Sequence, residues 1–127
     1  MVNNKNEIIL YQPDNAIQLE VLVDNETVWL TQAQMVMLFD RHVSVISRHI
    51  KNVFSEGELD EKSNLHFLQI ANADRPVAFY NLDVIISVGY RVKSQRGTEF
   101  RIWATKTLKD YLLKGYAWGG VNLKIIK

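Results

Sequence analysis

The sequence predicts an α+β fold: a small N-terminal antiparallel sheet, a helix-turn-helix with a following β-hairpin in a winged-helix-like arrangement, and two C-terminal helices. Three observations lead to this prediction. Apolar and polar residues alternate within the first 30 residues, which is the period of half-buried strands. Apolar residues recur at helical spacing over residues 31–55 and again over 81–115. Between these stretches, residues 64–80 form two strand-like runs around a turn.

The N-terminal strands are predicted at Glu7 to Tyr11, Ile17 to Val23 and Thr27 to Leu30. Turns are predicted at Pro13-Asp14-Asn15 and at Asp24-Asn25. The second strand has one wholly apolar face, because every other position is apolar: Ile17, Leu19, Val21 and Val23. The third strand leads directly into a helix.

The stretch TQAQMVMLFDRHVSVISRHIK predicts two short helices separated by a tight turn. Thr31 and Gln34 have the spacing of a capping box, in which each side chain bonds the other residue's backbone N–H. Leu30 and Met35 occupy the positions of a hydrophobic staple. The first helix is therefore predicted from Gln32 to Phe39.

The second helix is predicted from an N-cap at Ser44 to about Ser55, with Gly57 as its stop. Its apolar side holds Ile46, Ile50, Val53 and Phe54. The opposite face carries small polar and basic residues, and no acidic residue lies between Arg41 and Phe54. Such a face can enter a major groove and donate to phosphates and base edges. The alternative, which periodicity does not exclude, is a basic face that contacts only solvent.

The apolar positions that lock a helix-turn-helix together are all present, at Met35, Phe39, Ile46 and Ile50. Two other positions depart from the pattern. Val36 stands where a small residue is usual, and Asp40 stands at the turn position where Gly is usual. Asp tolerates the left-handed conformation better than most residues, so we expect the turn to survive at some cost in stability.

A β-hairpin is predicted from Leu65 to Ile70 and Val77 to Tyr80, around the turn Asn72-Ala73-Asp74-Arg75-Pro76. In a winged helix, Arg75 near the hairpin tip would contact phosphate or the minor groove. The alternative is that the hairpin only covers the core and leaves Arg75 in solvent. This alternative is slightly favoured, because the hairpin carries a single cation.

Two C-terminal helices are predicted, from Leu82 to about Tyr90 with Asn81 as N-cap, and from Thr98 to about Lys114. The last helix has a core stripe of Phe100, Trp103, Ala104, Leu108, Tyr111 and Leu112. Arg101 lies inside this apolar arc, which favours a structural arginine paired with Asp83 or Glu99. A second thin stripe, Ile102 and Leu113, indicates a dimer contact or a site for an element absent from this chain.

The charges are segregated along a chain whose net charge is only +1. Residues 1–30 hold one Lys against five acidic residues (net −4), and residues 55–63 have a net charge of −3. Residues 91–114 hold seven basic residues against two acidic ones, a net charge of +5. A local positive surface favours nucleic acid, because phosphate contacts release counterions. Such segregation also occurs in proteins that bind acidic protein partners.

The 127 residues predict a single domain with no cofactor and no catalytic activity. The chain has no cysteine, its three histidines lack metal-ligand spacing, and it has neither a Gly-rich phosphate loop nor a G-x-S-x-G motif. No apolar run is long enough to span a membrane, and the N-terminus does not read as a signal peptide. These features together favour a cytoplasmic protein.

Four stretches resemble the RhuM family of bacterial virulence-associated proteins: ETVWLTQAQM at 26–35, IKNVFSEGELDE at 50–61, YNLDVIISVGYRVKSQRGTEFRIWAT at 80–105 and LKDYLLKGYA at 108–117. The resemblance implies an N-terminal DNA-binding domain without an assigned catalytic site. The second half is also similar, more loosely, to the Bro-N type domains of phage antirepressors. Members of the RhuM family typically have Gly at the position of Asp40 and a more basic hairpin. They are commonly longer, so a C-terminal region of a longer protein is one further expectation.

The resemblance implies double-stranded DNA as the partner, contacted from the helix-turn-helix by Gln32, His42, Val43, Ser44, Ser47, Arg48 and Lys51. The charge pattern adds Lys93, Arg96 and Lys106 as nonspecific contacts, and Arg75 as the wing contact. We expect a homodimer, because one short helix reads only a few base pairs. The first hypothesis is therefore a transcriptional regulator. The alternative is a non-enzymatic protein-interaction module, antirepressor-like or antitoxin-like, which the acidic first 30 residues and the Ile102/Leu113 stripe motivate.

Overall fold

The computed structural model describes residues 7–24 and 26–114, with the side chains described as far as residue 111. The strands in these ranges are β1 (Glu7–Tyr11), β2 (Leu19–Val23), β3 (Val28–Leu30), β4 (Leu65–Leu68) and β5 (Val77–Asn81). The helices are α1 (Gln32–Phe39), α2 (Val43–Ser55), α3 (Glu61–Asn64), α4 (Leu82–Val92) and α5 (Gln95–Lys114). The α+β prediction is confirmed.

The strands form one antiparallel sheet in the order β1-β2-β3-β5-β4. The N-terminal strands and the hairpin, which the sequence predicted as separate units, are joined by β3 and β5. Only two residue pairs make this junction, Trp29 with Asn81 and Leu30 with Tyr80. Because α1 and α2 lie between β3 and β4 in the chain, the segment that carries them begins and ends on the same sheet.

The predicted apolar face of β2 is buried and contributes to the main core, together with Ile17 just before the strand. Ile9 is paired with Val21, so alternate residues of β1 lie on the same face. Tyr11 at the end of β1 packs edge-on against Phe100 of α5, with ring centroids 5.1 Å apart, and contacts Trp103 at 4.8 Å. The sheet therefore packs its apolar face against α5, and α1, α2 and α4 share the same core.

Helices α4 and α5 approach most closely at two glycines beneath the ring of Phe39 from α1. A Cβ atom built on Gly89 would lie 3.3 Å from Phe39 Cε1 and 3.4 Å from Gly97 Cα. A Cβ atom built on Gly97 would lie 3.2 Å from the same ring carbon and 3.3 Å from Gly89 Cα. These distances are shorter than ordinary contacts, so a larger side chain at either glycine would push against the Phe39 ring or the facing helix backbone.

The boundary between α4 and α5 differs from the prediction. Helix α4 continues to Val92 rather than Tyr90, and α5 starts at Gln95 rather than Thr98. Lys93 adopts the left-handed conformation, with φ of 55°, and its N–H donates to the carbonyls of Gly89 and Tyr90. The hydroxyl of Ser94 then accepts from Arg96 N–H at 3.2 Å. The sharp turn takes two residues, which leaves Gly97 inside α5 instead of in a loop.

The predicted core stripe of α5 is confirmed for Phe100, Trp103, Ala104, Leu108 and Tyr111, which are buried or half-buried. The side chains of Leu112 and Leu113 lie outside the described residues. The prediction for Arg101 is wrong: its side chain is exposed, and among the described residues it forms no ion pair with Asp83 or Glu99. Arg101 lines an open cavity of about 260 Å³ between α4 and α5, so its polar end is solvated without a carboxylate partner.

Replacing Gly89 by Leu should lower the free energy of unfolding by about 1–3 kcal/mol. The new side chain would meet both the Phe39 ring and the backbone of α5, and this cost exceeds the gain of about 1 kcal/mol in helix propensity. Urea denaturation followed by far-UV circular dichroism measures the difference. Tyr90→Leu is the control, because Tyr90 is next in the same helix and 80% exposed. Equal midpoints for the two variants would show that the crossing tolerates added volume.

Candidate nucleic-acid interface

The start of α1 is fixed by polar contacts on both sides of the helix end. The capping box is confirmed: Gln34 N–H donates to Thr31 Oγ1 at 3.2 Å, and Thr31 N–H donates to Gln34 Oε1 at 2.9 Å. Gln34 Nε2 also donates to the carbonyl of Glu20 in β2 at 2.7 Å. Gln32, a predicted DNA contact, is half-buried as the first residue of the helix. The first turn of α1 is thereby held against the sheet.

The turn between α1 and α2 has the conformation that the sequence predicted. Asp40 has φ of 54° and ψ of 52°, in the left-handed region, and its N–H donates to the carbonyl of Val36. Arg41 then bonds backbone carbonyls with its guanidinium, at 3.0 Å to Phe39 and 2.9 Å to Val92 at the end of α4. No sequence pattern indicates that Arg41 bonds these carbonyls. Arg41 therefore ties the turn to α4 in addition to contributing a positive charge.

Helix α2 begins two residues earlier than predicted, at Val43, and its N-cap is His42 instead of Ser44. His42 Nδ1 accepts from Ser44 N–H at 3.1 Å, and Ser44 Oγ lies 2.9 Å from the same nitrogen. An unprotonated imidazole nitrogen can accept a hydrogen bond as the oxygen of a usual N-cap residue does. His42 and Ser44, both predicted DNA contacts, are thus bonded to each other at the helix start.

The two-sided character predicted for α2 is confirmed. Ile46, Ile50 and Val53 are buried. The opposite face is exposed and consists of Ser44, Ser47, Arg48, Lys51 and Ser55, and Val43 is exposed at the helix start. Within the described part of the chain, Arg48 and Lys51 make no hydrogen bond and no ion pair. Both cations are therefore available to an anionic partner.

The far end of α2 is connected to α4 by an ionic cluster that the sequence did not predict. Arg91 donates to Glu56 and to Glu58, both at 2.8 Å, and Ser87 Oγ donates to Glu58 at 2.6 Å. The hydrogen bonds from Arg91 first, and then from Ser87, lower the pKa of the Glu58 carboxyl. Part of the acidic segment 55–63 is thus bonded to α4. Arg91 is neutralised by this pairing and does not add to the positive charge that a partner could contact.

The four remaining predicted cations do not form one cluster with Arg48 and Lys51. Lys93 is exposed at the left-handed end of α4. Arg96 is half-buried and donates to the carbonyl of Leu38 at 3.3 Å, which places it beside the end of α1. Arg75 is exposed in the β4–β5 connection, and no hydrogen bond or ion pair of the described residues links it to α2. Lys106 is exposed on α5.

The hairpin displays apolar side chains where a basic wing would display cations. Phe67 is 65% exposed and Ile70 is 43% exposed. On the other side of β4, His66 stacks on Trp29, with ring centroids 4.4 Å apart. The indole Nε1 of Trp29 donates to Asp24 Oδ2 at 2.8 Å. The base of the hairpin is therefore well packed, and its outer part is apolar rather than cationic.

The described ranges contain neither a candidate metal site nor a candidate membrane span. No group of three His, Cys, Asp or Glu side chains is placed to hold a metal ion. No helix there is long and apolar enough to cross a lipid bilayer.

The architecture is that of an α+β protein with a single antiparallel sheet, a two-helix segment with one basic face, and two C-terminal helices. The model of the virulence protein RhuM family matches residues 61–126, and the chain therefore belongs to that family. The matched residues contain α3, the hairpin, α4 and α5, and they begin after the end of α2. No curated protein and no solved structure shows a significant match.

His49 provides a test of how tightly α2 is packed. Its Nδ1 is buried without a hydrogen-bond partner among the described residues, and its pKa is lowered, first by burial and then by the charges of Arg48 and Arg91. The unfolded chain therefore binds this proton more readily than the folded protein. The stabilisation is complete above the unfolded-state pKa of 6.5 and is lost as the pH falls through it.

We expect the urea midpoint of the wild-type protein to fall between pH 7.5 and pH 5.5, and to fall less in His49→Gln. The matched control is His66→Gln, which removes an exposed imidazole on β4 and keeps His49. Identical pH dependence in His49→Gln and the wild-type protein would contradict the lowered pKa of this half-buried imidazole.

Proposed function

We propose that the protein binds double-stranded DNA through α2, as the recognition helix of a helix-turn-helix, and acts as a transcriptional regulator. The observation that carries this proposal is the exposed face of α2. It has small polar side chains and two unpaired cations, Arg48 and Lys51, and lacks acidic residues along its length. A face of this composition fits a major groove, where it can donate to phosphates and base edges.

The fixed orientation of α2 supports this role. The turn before it is attached to α4 by Arg41, and the connector after it is attached to α4 by Arg91. Its apolar side is buried in the core. A helix held at both ends and along one side keeps its side chains in a constant register, which base recognition requires.

The strand pairing supports a winged-helix arrangement. Strand β3 precedes the two helices and pairs with β5 of the hairpin that follows them. We propose that Arg75 supplies one phosphate contact from this hairpin and that Lys93 supplies another near the α1–α2 turn. Arg96 has a positioning role, because its guanidinium is bonded to the carbonyl of Leu38. The hairpin contributes little sequence reading, since its exposed large side chains are Phe67 and Ile70.

A double variant, Arg48→Ala with Lys51→Ala, tests the assignment of α2. If each cation neutralises one phosphate, the slope of log K against log salt should become less steep by about 2. Fluorescence anisotropy with a labelled genomic duplex, titrated from 50 to 200 mM salt, measures both affinity and slope.

The control variant is Lys62→Ala with Lys109→Ala, which removes two exposed charges from α3 and α5. It should bind within about twofold of the wild-type protein at the highest salt. Equal losses in the two double variants would indicate general charge attraction instead of a reading helix.

We further propose a homodimer on a two-fold symmetric site, because one recognition helix covers few base pairs. A mass measurement in solution, combined with selection of bound sequences from random DNA, tests this. A monomeric mass on an asymmetric selected site would argue against the dimer.

A second candidate is a non-enzymatic protein-interaction module. It is favoured by three exposed apolar side chains, Phe67 and Ile70 on the hairpin and Ile102 on α5, which is 58% exposed. We propose no enzymatic activity in either case. Capture of one defined protein partner, with no DNA bound at low salt, would favour this second candidate.

A further inference from the structure

The first residue of α2, Val43, has an aliphatic side chain that is exposed to solvent. Val43 is 48% exposed, although at 100° per residue it falls between Ile50 and Phe54, at the edge of the apolar side of the helix. Ser47 lies one helical turn further along, on the same side of the helix. The N-terminal end of a recognition helix is the part that contacts base edges.

The neighbours of Val43 are not free to read bases. His42 Nδ1 accepts from Ser44 N–H at 3.1 Å, and Ser44 Oγ lies 2.9 Å from the same ring nitrogen. Both polar side chains are therefore engaged in capping the helix. At the start of α2 this leaves Val43 as the side chain without a structural role in the described contacts.

The chemistry of Val43 limits what it can recognise. Its side chain has no donor and no acceptor, so it cannot read the hydrogen-bonding groups of a base edge. The major groove presents one apolar group that distinguishes a base pair, the C5-methyl group of thymine. A branched aliphatic side chain at the groove-facing end of the helix fits that methyl group and excludes the amino group of cytosine, which would lose its hydration.

We propose that Val43 is a specificity-determining residue that packs against a thymine methyl group in the major groove. This inference rests on the proposed function of α2 as a DNA-recognition helix. Arg48 and Lys51, one to two turns further along, supply phosphate or base-edge donors around this apolar contact.

The test uses the full chain and a duplex selected from random DNA. Each thymine of the selected duplex is replaced singly by deoxyuridine, which removes only the C5-methyl group and keeps the base pairing and the O4 acceptor. One position in each half-site should bind about fourfold more weakly, as expected for the loss of one buried methyl group. The other thymines should show no change.

Val43→Ser should remove this discrimination, binding the thymine and deoxyuridine duplexes equally. Ser47→Ala is the matched control on the same face and should retain the fourfold difference. Far-UV circular dichroism confirms that each variant is folded, and the deoxyuridine series on the wild-type protein does not depend on any variant.

Three results would overturn the inference. If the wild-type protein binds a selected duplex but no deoxyuridine substitution weakens it, Val43 reads no methyl group, whereas the proposed DNA-binding function stands. The same conclusion follows if Val43→Ser keeps the full discrimination. If the folded protein binds no duplex at low salt, the proposed function and this inference fail together.

Discussion

The pairing of β3 with β5 determines where both helical units begin. Its two residue pairs bring Leu30 and Asn81 to the same point of the sheet, although 51 positions separate these residues in the chain. Leu30 is followed at once by Thr31, the N-cap of α1, and Asn81 is itself the N-cap of α4. Asn81 Nδ2 also donates to Asn64 Oδ1 at 2.8 Å, which adds the end of α3. Three helices thus take their positions from one short strand contact.

Three arginines that increase the formal charge act mainly within the fold. Arg41 and Arg96 bond carbonyl oxygens at the ends of α4 and α1, and Arg91 pairs with two carboxylates. Each carbonyl bonded in this way lies at or next to a helix end, where carbonyls lack partners in the helix. The local charge of a segment is therefore a poor measure of the charge it offers to a partner. Arg48 and Lys51 differ because no described group competes for them.

Local sequence signals predicted local structure well. The capping box placed α1 at its observed bounds, and the left-handed turn at Asp40 was foreseen from the tolerance of Asp for that conformation. The N-cap of α2 was wrong because an imidazole nitrogen is a rare capping acceptor. The start of α5 was predicted three residues too late, because the packing of Gly97 against Gly89 cannot be read from periodicity. Neither the β3–β5 junction nor the Arg91 cluster follows from periodicity, since both join residues far apart in the chain.

The contact of Phe39 with Gly89 and Gly97 also limits how the molecule can respond to a partner. A ring seated this closely against two backbones prevents α1 from sliding along α4 and α5 without opening the core. Under the proposed function, the duplex would meet a surface that does not adapt. The DNA would then have to deform to achieve a close fit. Base pairs that the protein does not contact would influence the affinity, because their sequence determines how easily the duplex bends.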